Sequence, residues 1–270
     1  MAVFGALVYY HVELLMCKNV IVIAKDKEVM CRYEPLSASC IDTTISGLSS
    51  LSLPIRQGKG VTGTLPPDLG KLSELIVLEF FSNKISGPIP NLSGLTHLQT
   101  LNLRDNLFDS TPKNLFSGMN SLQEVYLNNN PFPAWEIPET VKETTSLKNL
   151  SLINCNIRQG KGVTGTLPPD LGKLSELIVL EFFSNKISGP IPNLSGLTHL
   201  QTLNLRDNLF DSTPKNLFSG MNSLQEVYLD NNPFPAWEIP ETVKETTSLK
   251  NLSLINCNVT GSIPNFFKKN

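Results

Sequence analysis

The sequence predicts an α/β, mainly-β, right-handed solenoid, a horseshoe of about nine coils with a short parallel sheet along its concave side. Three observations predict it. The segment from Ile55 to Asn156 recurs from Ile157 to Asn258 at a shift of 102 residues, with Asn128 against Asp230 as the single difference. Inside each copy a shorter period appears: Leu72, Leu95, Met119, Thr144 and Leu174 open successive coils at steps of 23, 24, 25 and 30 residues. Steps of ~20–29 residues match one strand plus its return segment, a unit that buries its apolar face only by stacking on the next. The 19 prolines and 17 glycines recur at those same intervals and mark repeated turns rather than long helices.

Each coil begins with a strand. In Leu98-Gln-Thr-Leu101-Asn-Leu103-Arg-Asp-Asn106, Leu101 and Leu103 alternate with polar neighbours, so the leucines face inward and Thr100, Asn102 and Arg104 face out. Asn83, Asn106, Asn130, Asn185, Asn208 and Asn232 fall at one position per coil, where a buried amide must find partners and neighbouring coils supply them. Cys155 and Cys257 take that same position and read as small buried thiols rather than disulfide partners. Farther along the coil, Thr62-Gly63-Thr64-Leu65-Pro66 and Ser86-Gly87-Pro88-Ile89-Pro90 read as tight bends. The first step across the block junction is about six residues too long for a coil, so Ile157 to Val163 should bulge, with Arg158 and Lys161 exposed and the coils on both sides in one solenoid. Leu51-Ser-Leu53 offers a first strand ahead of the blocks.

Composition narrows the function. Charged residues make up 17% of the chain and its net charge is −2, which leaves no basic field for nucleic acid or an anionic membrane. His11 and Glu13 break the most apolar stretch, so a transmembrane segment is not expected. Five cysteines are too few for a disulfide scaffold. No cofactor, metal or catalytic residue is expected. His97 and His199 share one repeat position and make no Ser-His-Asp or metal constellation, and no H-R-D or D-F-G segment occurs. Gly58-Lys-Gly60-Val-Thr-Gly63, with its copy Gly160, Gly162 and Gly165, matches G-x-G-x-x-G, but Pro66-Pro67 follows where a phosphate-binding helix should start.

What remains is recognition. Residues flanking the inward leucines form a continuous stripe across the stacked strands, and its candidate ligand-binding members are Glu79, Phe81, Asn102, Arg104, Tyr126 and Asn128, repeated as Glu181, Phe183, Asn204, Arg206, Tyr228 and Asp230. Aromatic and arginine side chains anchor interfaces, while acids and amides beside them select, so a protein or peptide ligand is expected. The competing reading of any single position is an ordinary solvated strand residue. Trp135 and Trp237, in Pro-Phe-Pro-Ala-Trp, are either exposed recognition aromatics or rings packed over the coil edge. Asn91, Asn149, Asn193, Asn251 and Asn258 begin acceptor sequons for N-glycosylation, which point to secretion, although Asn-Leu-Ser also arises from repeat grammar. Ala2 to Met16 is apolar like part of a signal peptide but lacks a basic start.

The run from Leu72 to Pro90 follows L-x-x-L-x-x-L-x-L-x-x-N-x-[LIF]-x-G-x-[IL]-P with Phe80 for one leucine, and so resembles the plant-type leucine-rich repeat. More narrowly, Gly63 to Leu72, Phe116 to Gln123 and Asn128 to Pro138 resemble the ectodomain of plant TMK-type receptor-like kinases, over Val61 to Phe267. That resemblance implies an α/β leucine-rich-repeat solenoid at the cell surface, a kinase elsewhere in such receptors, auxin-related signalling, and a protein or peptide ligand with a co-receptor among its partners. It also implies localisation in the secretory pathway, at the cell surface or apoplast, with membrane association. Against it, residues 1–54 hold Cys17, Cys31 and Cys40 at unfamiliar spacing and lack the paired-cysteine motif C-x-W-x-x-V-x-C, so they read as a degraded N-terminal cap or a partly disordered segment. Residues 55–156 then form the first repeat block, and 157–270 the second with a terminal coil. A non-catalytic binding module in a receptor ectodomain leads; a soluble apoplastic binding protein, inhibitor or decoy is the alternative, and a cryptic enzyme stands third.

Overall fold

Leucines spaced two apart and repeated every coil have one way to leave water, which is to point into a solenoid while the strand backbones pair with the coils before and after. This computed structural model describes residues 62–155, 162–262 and Pro264, together with the backbone of strands Ile21–Lys25, Glu28–Arg32 and Leu51–Pro54. Eight rungs stack in register: Leu75–Glu79, Thr100–Asn102, Glu124–Tyr126, Asn149–Ser151, Val179–Glu181, Thr202–Asn204, Glu226–Tyr228 and Asn251–Ser253. Every neighbouring pair is parallel. Leu51–Pro54 adds a ninth parallel rung ahead of Leu75–Glu79, so the expected first strand forms and the expected coil number is met. Upstream, Ile21–Lys25 and Glu28–Arg32 pair antiparallel and Glu28 opposes Ser52. The parallel ladder crosses from one block to the other where Asn149–Ser151 pairs with Val179–Glu181. Arg158 and Lys161 of the expected bulge lie outside the described residues.

The core is a column of leucines. Leu78, Leu101, Val125, Leu150, Leu180, Leu203 and Val227, the central residues of successive rungs, are fully buried, and Leu103, Leu127, Leu152, Leu205 and Leu229 form a second buried row two positions on. Phe80 and Phe182 take the place of a leucine in that second row without leaving the core. The return side is made of short 3₁₀ turns, Pro67–Lys71, Glu139–Glu143, Pro169–Lys173 and Glu241–Glu245, each entered after a proline whose extended backbone cannot join a helix. Each sends one apolar side chain inward: Leu69, Val141, Leu171 and Val243.

Between strand and return segment the chain turns through a residue in the left-handed region, with φ from 53° to 57° at Ser82, Asp105, Asn129, Asn154, Ser184, Asp207, Asn231 and Asn256. Asp and Asn tolerate that conformation better than other non-glycine residues. The next residue is the repeated asparagine, and its amide holds two coils together. Asn106 Nδ2 donates to Phe80 O of the preceding coil at 2.7 Å and to Leu103 O and Arg104 O of its own, while its Oδ1 accepts from Ile85 N at 3.1 Å. Asn130, Asn208 and Asn232 repeat the pattern. Asn185 does so across the block junction, donating to Leu152 O at 2.6 Å and accepting from Cys155 N and Val163 N. Cys155 and Cys257 stand in the same place as free, buried thiols, directed at Leu127 O and Leu229 O.

A second, lateral set of short parallel strands runs beside this ladder. Thr62–Gly63, Lys84–Pro88 and Leu107–Ser110 form one group, and Ser188–Pro190 pairs with Leu209–Ser212. Trp135–Glu136 pairs with Val163–Thr164 and Trp237–Glu238 with Val259–Thr260. The Ser-Gly-Pro stretch expected to be only a bend is therefore also a strand. Gly87, at φ 77°, turns there so tightly that an added Cβ would come within 2.9 Å of Thr64 Cγ2.

Replacing Asn130 by alanine leaves a buried carbonyl and a buried N–H without partners. At ~1–3 kcal/mol for each orphaned group, Asn130→Ala should lose roughly 3 kcal/mol of stability, read as an earlier urea midpoint by circular dichroism. Asn120→Ala, at an exposed position, should change it by less than about 0.5 kcal/mol.

Candidate ligand-binding surface

Register fixes which side chains stand beside one another on the concave sheet. One row runs Val77, Thr100, Glu124, Asn149, Val179, Thr202, Glu226, Asn251, and the next runs Glu79, Asn102, Tyr126, Ser151, Glu181, Asn204, Tyr228, Ser253. Two residues farther along each coil come Phe81, Arg104, Asn128 and Ile153, then Phe183, Arg206, Asp230 and Ile255. The twelve candidate positions thus share one face, and the second set follows the first four rungs later.

They differ in depth. Glu79, Phe81, Arg104, Tyr126, Glu181, Phe183, Arg206 and Tyr228 are half-buried and open to a partner. Asn102, Asn128, Asn204 and Asp230 are buried, and the last three accept backbone N–H groups of their own or the next coil. Asn128 Oδ1 accepts from Ile153 N at 2.9 Å. Asp230, at the one position where the blocks differ, accepts from Ile255 N at 2.7 Å and from the Ser253 hydroxyl at 2.5 Å.

The arginines lie over aromatic rings. The Arg104 guanidinium carbon is 5.0 Å from the centre of the Phe81 ring, and that of Arg206 is 4.7 Å from Phe183. Their nearest carboxylates, Asp105 and Asp207, stand 3.8 and 3.7 Å from Nε in partly exposed pairs worth little by themselves. Stacking holds the guanidinium flat and leaves its outer face free for a ligand ring or acceptor. In the next rung, burial pushes the Tyr126 phenol above its ordinary value, with the Glu124 carboxylate adding to the shift and the Asn149 side chain opposing it.

Other candidates fall elsewhere. Trp135 and Trp237 pack partly buried against the core, 5.7 Å from Phe132 and 5.8 Å from Phe234 between ring centres, and the Trp237 indole donates to Cys257 O at 2.7 Å. That is the packed alternative of the two readings. His97 and His199 are exposed, with Nδ1 3.0 Å from Ser73 O and Ser175 O one coil back. Gly63 and Gly165 lead into 3₁₀ turns, not α-helices. Among the described residues, no group of three His, Cys, Asp or Glu side chains is placed to hold a metal, and no helix is long and apolar enough to cross a membrane. Of the sequon asparagines, Asn91, Asn193 and Asn258 are exposed outside the strand ladder, whereas Asn149 and Asn251 lie within concave strands. Asn149 and Asn251 also reach Glu124 and Glu226 at 3.4 and 3.3 Å.

Known proteins carry the same repeats. Leucine rich repeat models match residues 193–234, and residues 97–119 and 248–270. Receptor-like kinase TMK2 of Arabidopsis thaliana is 50% identical over 106 residues, covering 39% of this chain and 12% of the relative. Receptor-like kinase TMK4 of the same plant is 31% identical over 230 residues, covering 77% of this chain and 24% of the relative. The chain is built of leucine-rich repeats and is homologous to the TMK receptor-like kinases of plants. It spans less than a third of the length of either relative. The fold of this leucine-rich-repeat chain also matches the Arabidopsis receptor kinase HAESA, solved with the peptide hormone IDA and the co-receptor SERK1. The match has a TM-score of 0.70 at 29% identity and covers 80% of this chain and 35% of that one.

Two titrations follow. Burial pushes the Cys155 and Cys257 thiols up, Cys257 to about 11, and only the thiolate reacts. Iodoacetamide at pH 8 should therefore leave both unlabelled in the folded protein and label both in urea, as read by peptide mass spectrometry. The Tyr126 phenol is held protonated past its ordinary 10, so its contribution to stability is intact below pH 10 and falls away as pH rises through the raised value. The difference absorbance between the wild type and Tyr126→Phe should show tyrosinate forming later than in free tyrosine.

Proposed function

We propose that this chain is a non-catalytic ligand-binding module of a plant cell-surface receptor, gripping a protein or peptide on its concave sheet. The observation that carries this reading is the twofold presence, on one open face, of a ring capped by a guanidinium with a tyrosine in the next rung: Phe81, Arg104 and Tyr126, then Phe183, Arg206 and Tyr228. Aromatic and arginine side chains held by their neighbours lose little freedom on binding, which is why such residues dominate interface energies. HAESA's complex with a peptide hormone and a co-receptor supports a peptide ligand and a co-receptor partner here. The buried amides Asn102, Asn128 and Asn204 and the buried Asp230 shape the face from beneath. The sequons, with glycans at Asn91 and Asn193 on exposed turns, fit passage through the secretory pathway to the cell surface or apoplast. Auxin-related signalling enters only through the TMK resemblance.

A random-peptide phage library panned against the whole glycosylated chain tests this. Enriched peptides should lose at least tenfold in affinity to Phe81→Ala/Arg104→Ala or Phe183→Ala/Arg206→Ala, a loss of about 1.4 kcal/mol or more. They should bind Lys113→Ala, on an exposed return segment, unchanged. No enrichment, or enrichment that survives all the concave changes, would remove the concave face as the site.

A further inference from the structure

Glycan acceptors stand in two different settings on this solenoid. Asn91 and Asn193 are exposed on return segments past the lateral strands Lys84–Pro88 and Ser188–Pro190. Each Oδ1 accepts from the N–H of its own sequon serine, Ser93 or Ser195, at 3.0 Å. That bond ties down the carbonyl half of the amide and leaves Nδ2, the atom a glycan takes, to the outside. Asn149 is placed otherwise. It stands half-buried in the concave rung Asn149–Ser151, with Glu124 on one side in register and Val179 on the other. Its Nδ2 reaches Glu124 Oε1 at 3.4 Å, and its side chain also bonds the Tyr126 phenol. The rung before it ends the first Phe-Arg-Tyr set with Tyr126, and the rung after it leads to Phe183, which opens the second. The rest of its sequon is closed once the rung forms. Leu150 is fully buried, and Ser151, 1% exposed, has its hydroxyl on Glu181 Oε2 at 3.2 Å.

We propose that Asn149 is a glycan-acceptor site set inside the ligand face and that a glycan there closes the face, so that the secreted protein is a mixture of open and closed molecules. This rests on the concave face being the binding surface and names what regulates it. Transfer joins C1 of an oligosaccharide to Asn149 Nδ2 and removes one of the two Nδ2 hydrogens as a proton. It breaks the C1–O bond to the lipid diphosphate that carried the sugar, which leaves. The transferring enzyme reads the sequon serine, and Ser151 is buried in the folded rung, so the step precedes pairing with Val179–Glu181. The fraction modified is then fixed for the life of the molecule. Rungs repeat at ~4.8 Å, about the width of one sugar ring, so a branched glycan core on Asn149 overlies the adjoining rungs as well as its own. One attachment point thereby covers an end of each Phe-Arg-Tyr set, whereas glycans at Asn91 and Asn193 leave both sets clear.

The test uses the whole chain secreted by eukaryotic cells, with Ser93→Ala, Ser195→Ala, Asn251→Gln and Thr260→Ala, which leave Asn149 as its sole sequon. These serine changes keep the backbone N–H that caps Asn91 and Asn193. A lectin column should split the chain into retained and unretained fractions of one sequence. Heavy-oxygen labelling by a peptide N-glycosidase should place sugar at Asn149 in the retained fraction alone, within the tryptic peptide Asn149 to Arg158. Peptides from the phage selection that need Phe81 and Arg104 should bind the retained fraction at least about tenfold more weakly than the unretained one. Tetranitromethane should also nitrate Tyr126 more slowly in the retained fraction. A chain that keeps only the Asn91 and Asn193 sequons should bind those peptides equally in both fractions. Absence of a glycan at Asn149, its presence on every molecule, or equal peptide binding by the two fractions would overturn the proposal. The two readings fail separately: a phage selection without concave binders removes the binding surface, while Asn149 occupancy and Tyr126 nitration still report whether a glycan covers that face.

Discussion

One side-chain amide per coil sets the geometry of this molecule. A chain that turns out of a strand every 23 to 25 residues leaves carbonyls and N–H groups pointing at the adjoining coil, away from any ladder and from water. Asn106, Asn130, Asn185, Asn208 and Asn232 satisfy both at once, donating backward and accepting backward through the same amide. The leucine column would favour stacking in any register that keeps it dry. The amides choose one register, and that register aligns Glu79, Asn102, Tyr126 and Ser151 into a row instead of a scatter.

Alignment is what turns a duplicated sequence into a duplicated surface. Because Asn185 bridges the junction as its counterparts do within each block, the ladder continues from Asn149–Ser151 to Val179–Glu181, and the second Phe-Arg-Tyr set lands on the same face as the first. A disordered or offset junction would have produced two surfaces with no fixed relation. Where asparagine is absent, at Cys155 and Cys257, the thiol still reaches a carbonyl of the preceding coil and one of its own but accepts no N–H from the preceding coil, and the backbone N–H of Cys155 itself donates to Asn185 Oδ1.

Much of this was legible in the residues. Alternation around Leu101 and Leu103 gave the inward and outward faces, and the spacing of asparagines marked a position that needs bridging partners. Depth was not legible. Alternation assigns Asn102, Asn128, Asn204 and Asp230 to the concave face but says nothing of how far larger side chains in rungs ~4.8 Å away cover a short one, and all four are buried. The lateral strands around Ser86-Gly87-Pro88 were hidden for a different reason: glycine and proline announce a turn locally, whereas pairing with Leu107–Ser110 depends on a segment one coil away. The two readings of Trp135 could be separated only by finding Phe132 beside it.

The amide bridge is most directly tested by hydrogen exchange of the N–H groups that donate to a side chain and not to backbone. Ile85 and Ile187 donate to Asn106 and Asn208, so their amides should exchange as slowly as those of Leu101 and Leu203 in the sheet. Asn106→Ala should release Ile85 alone and Asn208→Ala should release Ile187 alone. Rapid exchange of Ile85 in the unaltered protein, or no change on removing Asn106, would mean that something other than the asparagine holds one coil to the next.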